Sequence, residues 1–304
     1  MLTSAVRFIQ HQLGHPARLH ALLATTSDLG YSLELPSNVD TDCITRWHEW
    51  LPAGWDAQPG ELRGREYRHG EYQGVRIISG ALANLCEQQQ FEEWTCDIRQ
   101  VQVLSASKSS LDEFADLDAF AEARCQGYLD DASPESIAHN LAHGEVRIMQ
   151  PGRGDYFRYH DWDGRVCLIN CGGSHHFATA RYLAGIARLP VELKGPLKGY
   201  RLNPAAVTAL TDEYILFAIT KDPVLWHELF ESMRALQATY FAGELPRPHG
   251  EGRALLLPKD DRHSMTVASA LRQAGVPDLG SYLQRQVHRQ HDYPVGAIMA
   301  GCHG

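Results

Sequence analysis

Apolar positions along the chain come in short periodic stretches separated by Gly, Pro and acidic residues. Val6, Ile9 and Leu13 recur at helical spacing before Gly14, and Leu19, Leu22 and Leu23 predict a second short helix. Residues 30–75 are rich in Gly, Pro, Trp and charge without periodicity, which predicts irregular structure with short strands such as Gly74–Ser79. Val101 and Val103 alternate with polar neighbours, a strand pattern. Leu111, Phe114, Leu117, Ala121 and Cys125 fall on one side of an amphipathic helix over 111–125. After the Asp130-Asp131-Ala132 break, Ser133 is placed to cap a helix with Pro134 at its first position. Ile137 and Leu141 give that helix an apolar stripe, and Gly144 ends it.

Val146 and Ile148 alternate as in a strand, and Tyr156–His160 and Arg165–Asn170 read as two strands around an Asp163-Gly164 hairpin turn. A Gly172-Gly173 pair precedes a helix over 174–187, with Phe177, Ala180, Ala184 and Ala187 facing a core, and a strand over 190–194 follows. Asp222 and Pro223 open a long helix to Phe241, striped by Leu225, Leu229, Met233 and Leu236. A strand at Leu255–Leu257, a helix from Met265 to Ala274 stopped by Gly275, and a helix over 279–288 complete the pattern. These elements predict an α+β protein divided into a mixed N-terminal region (1–110), a central core (111–211) and a helical C-terminal region (212–304).

At 304 residues, 44% hydrophobic and 21% charged, the chain has the composition of a soluble globular protein. No apolar run reaches the roughly 18 residues of a membrane helix. The N-terminal MLTSAVRFIQHQLG lacks the basic flank and apolar stretch of a signal peptide, so a cytoplasmic protein is expected. A net charge of −9 argues against a broadly basic, nucleic-acid-gripping surface, although a local basic patch stays open. The seven cysteines (Cys43, Cys86, Cys96, Cys125, Cys167, Cys171 and Cys302) are scattered without a CxxC pair, which predicts reduced thiols rather than a disulfide framework or zinc knuckle. The sixteen histidines form no HExxH motif.

Chemistry concentrates in Arg153–Gly195, where a hairpin strand, a Gly-Gly turn, a helix and a strand succeed one another. The first amides of a helix have no intrahelical partner and carry the positive end of the helix dipole. Glycines let that backbone approach an anion closely, so the junction is suited to phosphate. Gly173, Ser174, His175 and His176 would supply the amides, Ser174 a hydroxyl, and the two imidazoles further donors. A Gly-Gly pair before a helix is also a common tight corner.

The stretch Asn170-Cys171-Gly172-Gly173-Ser174-His175-His176-Phe177-Ala178-Thr179-Ala180-Arg181-Tyr182 resembles the signature of the ParB/sulfiredoxin superfamily. Gly154-Asp155-Tyr156-Phe157 resembles the sulfiredoxin strand entry, and Leu189-Pro190-Val191 the entry to the next strand. The resemblance covers about residues 133–197 and implies a mixed sheet with helices, set among additional mostly helical segments. It also implies that the turn, Gly172, Gly173, Ser174, His175 and His176, binds ATP or CTP phosphates with Mg2+; the second arginine of ParB is missing, and Arg181 could compensate for it or else be a solvated charge. Two departures stand out. Ser174 occupies the sulfiredoxin nucleophile position, where reduction of a sulfinic acid needs a thiolate, and His176 replaces an arginine that would clamp phosphate bidentately.

Glu145 is a candidate base or magnesium ligand, or else a surface carboxylate. His160, Asp161 and Asp163 could meet a metal, but Asp-x-Asp-Gly is more often a hairpin turn. Lys194 and Lys198 could reach phosphate, or lie solvated. His175 and His176 diverge by about 100° on a helix and do not chelate one ion, so no metal site is assigned. The expected function is nucleotide hydrolysis or phosphoryl transfer, with Glu145, His175 and His176 as catalytic residues. The alternatives are a non-catalytic nucleotide-binding module acting on a protein partner, and a ParB-like DNA-binding protein.

Overall fold

The computed structural model describes residues 16–50, 58–129, 131–150, 152 and 154–294. The expected helix over Val6–Leu13, together with Asp130, Arg153 and Cys302, lies outside them. The expected α+β class holds: two five-stranded sheets and, among the described residues, nine α-helices. The chain divides into two compact units, both discontinuous in sequence. One takes in the chain up to Glu34, Thr45–Cys86 and Asn203–Val287; the other takes in Leu35–Ile44, Glu87–Leu202 and the chain from His288.

The sheet of the first unit is antiparallel throughout, in the order β2 (Glu71–Ile78), β1 (Glu61–Arg68), β9 (Tyr240–Glu244), β10 (Gly252–Pro258), β8 (Tyr214–Thr220). Helices α1 (Ala17–Thr25), α2 (Gly80–Ala83), α6 (Pro204–Glu213), α7 (Pro223–Ala235), α8 (Arg262–Gln273) and α9 (Leu279–Arg289) accompany it. Its core joins Leu19 of α1, Leu229 and Met233 of α7, and Val267 and Leu271 of α8 to Phe217, Ile219, Leu255 and Leu257 of the sheet.

Two expectations fail here. The short strand expected at Gly74–Ser79 is present, but for Ser79, as part of β2, whereas the rest of residues 61–78 is not irregular: it completes a hairpin of two eight-residue strands. Its turn is His69-Gly70, both at positive φ (54° and 87°), the geometry that a two-residue hairpin needs. The helix from Pro223 ends at Ala235 rather than Phe241. Gln237 turns left-handed, and the amides of Gln237 and Ala238 bond back to the carbonyls of Arg234 and Met233. Tyr240 and Phe241 are thereby released to pair with β1, and Phe241 with β10.

The sheet of the second unit is mixed, in the order β3 (Cys86–Asp97), β7 (Glu192–Leu202), β5 (Tyr156–His160), β6 (Val166–Ile169), β4 (Val101–Leu104). β5 and β6 form the expected antiparallel hairpin, whereas β6 runs parallel to β4 and β5 parallel to β7. Helices α3 (Leu117–Arg124), α4 (Pro134–Leu141) and α5 (Ser174–Ala187) belong to this unit. Phe120, Ile137, Leu141, Phe177, Ala180 and Ala184 from these helices share a core with Trp94, Val101, Phe157 and Leu197 from the sheet. α4 starts on Ser133 and Pro134 as expected, and α5 has the expected bounds.

The amphipathic pattern from Leu111 becomes helical only at Leu117, because the Asp116 carboxylate caps the helix by accepting from the Ala119 amide. Leu111 still reaches the core, from a turn. Val146 and Ile148 are both buried as alternation requires, yet they flank and enter a 3-10 turn (Arg147–Met149) instead of a strand. The strand expected over 190–194 is β7, eleven residues long.

In the first unit, His249 is fully buried and its Nε2 lies 2.9 Å from the Thr45 hydroxyl. Burial pushes its pKa down to about 4. The unfolded chain therefore takes up this proton near pH 6.5 while the folded chain resists it. The stability contributed by neutral His249 is complete above about pH 6.5 and falls as pH drops towards about 4, by up to about 3 kcal/mol. Denaturation midpoints followed across that interval should show the loss, and His249→Leu should flatten it; an unchanged slope in the variant would assign the loss to other groups.

Candidate functional site

Two parallel strands, β4 and β6, end side by side and send off the loops that build a cleft. Ligand sites in open sheets gather outside the carboxyl ends of such strands, where diverging loops leave a crevice. The β4 loop is Ser105-Ala106-Ser107-Lys108-Ser109-Ser110, and the β6 loop is Asn170-Cys171-Gly172-Gly173. The buried Asn170 fastens one to the other. Its Oδ1 accepts from the amides of Ser105 (3.1 Å) and Ala106 (3.2 Å), and its Nδ2 donates to the carbonyls of Ala106 and Gly172 (both 2.9 Å). The Asn170 amide also donates to the Ser105 hydroxyl at 2.9 Å.

Gly173 sits at φ +71°, and a Cβ there would lie 2.6 Å from the Glu145 carbonyl oxygen, so both conformation and space require glycine. At Gly172 a Cβ would make only ordinary contact with the Glu145 side chain, 3.6 Å away. α5 then starts at Ser174 with no side chain capping it. Its first amides and the positive end of its dipole are left for another acceptor.

The cleft has a volume of about 570 Å3 and is lined by Ala106–Lys108, Arg124, Tyr128, His143, Glu145 and Cys171–His176. Five of the expected ligand-binding residues, Gly172 through His176, thus meet Glu145 in one place. The Ser174 hydroxyl donates to that of Ser107 at 2.9 Å. His175 Nε2 lies 3.0 Å from the Ser109 hydroxyl, and His176 Nδ1 lies 2.9 Å from Asn140 Oδ1. The His176 ring stacks on that of His143 with centroids 3.9 Å apart. Lys108 reaches to 3.9 Å from the Glu145 carboxylate, and Arg124 pairs with Glu113 at 2.7 Å.

The electrostatics differ from a cationic histidine clamp. Burial first, and then Lys108, lowers the His175 pKa against an opposing pull from Glu145. Burial first, then His143, does the same for His176. Both imidazoles are therefore neutral near pH 7, and the permanent positive charge on the cleft lining comes from Lys108 and Arg124.

Arg181 does not reach the turn. Its guanidinium donates to the Val101 carbonyl (2.7 Å) and pairs with Asp118, which fastens α5 to β4 and α3. The position lies on α5 well beyond its first turn, so the side chain serves packing rather than the helix start. Asp163 forms a two-pronged ion pair with Arg165 at the hairpin turn. Lys194 pairs with Glu93, and Lys198 sits over the Tyr156 ring. Asp155, whose pKa burial raises, accepts from the Cys171 amide and anchors the turn from behind. Among the described residues no group of three or more His, Cys, Asp or Glu side chains is arranged to hold a metal ion. Among the described residues Cys171, on the cleft, is an exposed thiol.

Sequence reasoning passed over Ser107, Lys108, Ser109, Tyr128, His143 and Asn140. A small-polar run with one lysine straight after a strand was the available signal for the first three. Nothing local connects the others to the turn, because folding alone brings them there.

The glycine geometry has a direct consequence. Gly173→Ala should cost about 1–3 kcal/mol through positive-φ strain and the backbone clash, whereas Gly172→Ala should be close to neutral. Chemical denaturation of the two variants measures the contrast; equal losses would refute the assigned turn geometry.

Among the described residues, no helix is long and apolar enough to cross a membrane. No curated protein matches the chain, and no solved structure does. A family model matches residues 91–295, more than half of the chain and the whole of the cleft, and on that match the chain belongs to a family of unknown function, DUF6685.

Proposed function

We propose that the cleft binds the phosphates of a nucleotide, or of another phosphate-bearing small molecule, and that it does so as a receptor. The observation that carries this reading is the uncapped start of α5, which opens beside Ser107 and Lys108 in the cleft. Amides, hydroxyls and one ammonium converge there, the donor set that an anion needs. Binding is favoured over turnover because each permanent cation already has a carboxylate partner and both histidines are held neutral. Phosphoryl transfer relies on charge stabilisation that such a lining supplies only weakly.

Hydrolysis of, or phosphoryl transfer from, ATP or CTP with Mg2+ is the second reading, and the position of Glu145 favours it. This carboxylate lies against Gly172 and beside Lys108, where it could accept a proton from a nucleophile. Glu145 is also the carboxylate on the cleft lining, so a Mg2+ ion would be held mainly by phosphate oxygens with Glu145 as the protein ligand. Calorimetric titration with ATP, CTP and tripolyphosphate, alongside a phosphate-release assay, separates the two readings. Saturable binding without release supports the receptor; release abolished by Glu145→Gln supports the enzyme; no binding of either nucleotide refutes the enzyme, and no binding of tripolyphosphate as well refutes the receptor.

The attraction between an anion and the nearby imidazoles fixes the sign of the pH dependence. An anion in the cleft favours the imidazolium form, so binding takes up protons. Affinity for sulfate, which keeps its charge across the range, should rise as pH falls from about 8 to about 5.5. His175→Gln should reduce that rise. A flat profile in the unsubstituted protein would place the anion away from His175 and His176.

A further inference from the structure

The cleft is larger than a phosphate group requires, and one wall of it is aromatic. α3 ends at Arg124, and the 3-10 turn Gln126–Tyr128 that follows carries Tyr128 onto the cleft. The Tyr128 residue is 42% exposed, one of the few large apolar residues left open to solvent among the described residues. Its ring centroid lies 4.5 Å from that of His176 and 6.4 Å from that of His175. His176 in turn stacks on His143 at an interplanar angle of 16°. Three rings, Tyr128, His176 and His143, therefore stand in a row beside the start of α5.

Two of the three rings are held in place. Asn140 fixes the His176 ring through Nδ1, and the Glu145 amide donates to His143 Nδ1 at 3.3 Å. A ring placed against Tyr128 meets a side chain backed by the fixed His176 ring, which limits the entropic cost of ordering the contact. Tyr128 touches the same two histidines that open α5, so its exposed face and the free helix amides are adjacent parts of one volume of about 570 Å3. That volume falls in the range of small-molecule sites, which combine an apolar wall with a few convergent polar groups.

We infer that the ligand carries a planar ring that packs on Tyr128, so that the cleft selects nucleotides over phosphates that lack a ring. The inference rests on the phosphate reading of the α5 start and adds Tyr128 as the residue that sets specificity. Charge alone predicts the reverse order, because tripolyphosphate carries more negative charge than ATP or CTP and presents the same row of phosphates.

The test is calorimetric titration of the full chain with ATP, CTP and tripolyphosphate, each with Mg2+, on the unsubstituted protein and on Tyr128→Ala, Tyr128→Phe and Ser174→Ala. The better of the two nucleotides should bind about tenfold or more tighter than tripolyphosphate. Tyr128→Ala should remove that advantage while leaving tripolyphosphate affinity unchanged, and Tyr128→Phe should retain it. Ser174→Ala should weaken all three ligands together. Tripolyphosphate binding as tightly as both nucleotides, or Tyr128→Ala weakening all ligands alike while Tyr128→Phe does the same, would overturn the ring contact and leave the phosphate reading standing. Absence of binding by all three ligands would overturn the phosphate reading and the ring contact with it.

Discussion

The buried side chain of Asn170 is the contact on which the second unit's cleft depends. β4 and β6 are parallel neighbours separated by more than sixty positions in sequence, so nothing local aligns the loops that follow them. A single amide does so, because it offers an acceptor and two donors on one rigid plane. It satisfies two amides of the Ser105 loop and carbonyls on both sides of the crevice. With the loops fixed together, Ser107 meets Ser174, Ser109 meets His175, and Lys108 stands near Glu145.

Gly173 sets the second constraint. The chain must leave β6, pass under the Glu145 backbone and begin α5 within a few residues, and only a left-handed residue without a Cβ can do this. The result is a helix start closed off from its own chain on one side and open to the cleft on the other. The histidines that follow are pressed against Phe120, Tyr128 and His143. This packing explains both their neutrality and their fixed orientation. The cleft therefore presents oriented donors and modest net charge, a combination that favours recognition by geometry over strong electrostatic capture.

Much of the fold was legible along the chain wherever a local signal sufficed. The Ser133-Pro134 start, the Asp163-Gly164 turn, the bounds of α5 and the Gly275 stop each rest on residues within a turn or two of the feature. Expectations failed where two local patterns competed or none was present. Leu111 and Phe114 continue the apolar face of α3, yet the Asp116 cap sets its start. Tyr240 and Phe241 continue the stripe of α7, yet the gain from pairing with β1 and β10 places them in a strand. Polar alternation in β1 and the start of β2 was masked by dense charge, only the Gly74–Ile78 end of β2 being legible, and His69 gave no warning of a left-handed turn.

The sequence by itself determined that a Gly-Gly turn opens a helix bearing Ser174, His175 and His176, since turn geometry and helix polarity are properties of a few consecutive residues. Only the tertiary structure decided which side chains surround that turn. Lys108, Tyr128, Asn140, His143 and Glu145 come from segments that sheet pairing and helix packing bring together, and Arg181, near in sequence, is drawn away to Asp118 and Val101. Charge state followed the same division: the identity of each imidazole is local, but its pKa is set by burial and by neighbours distant along the chain.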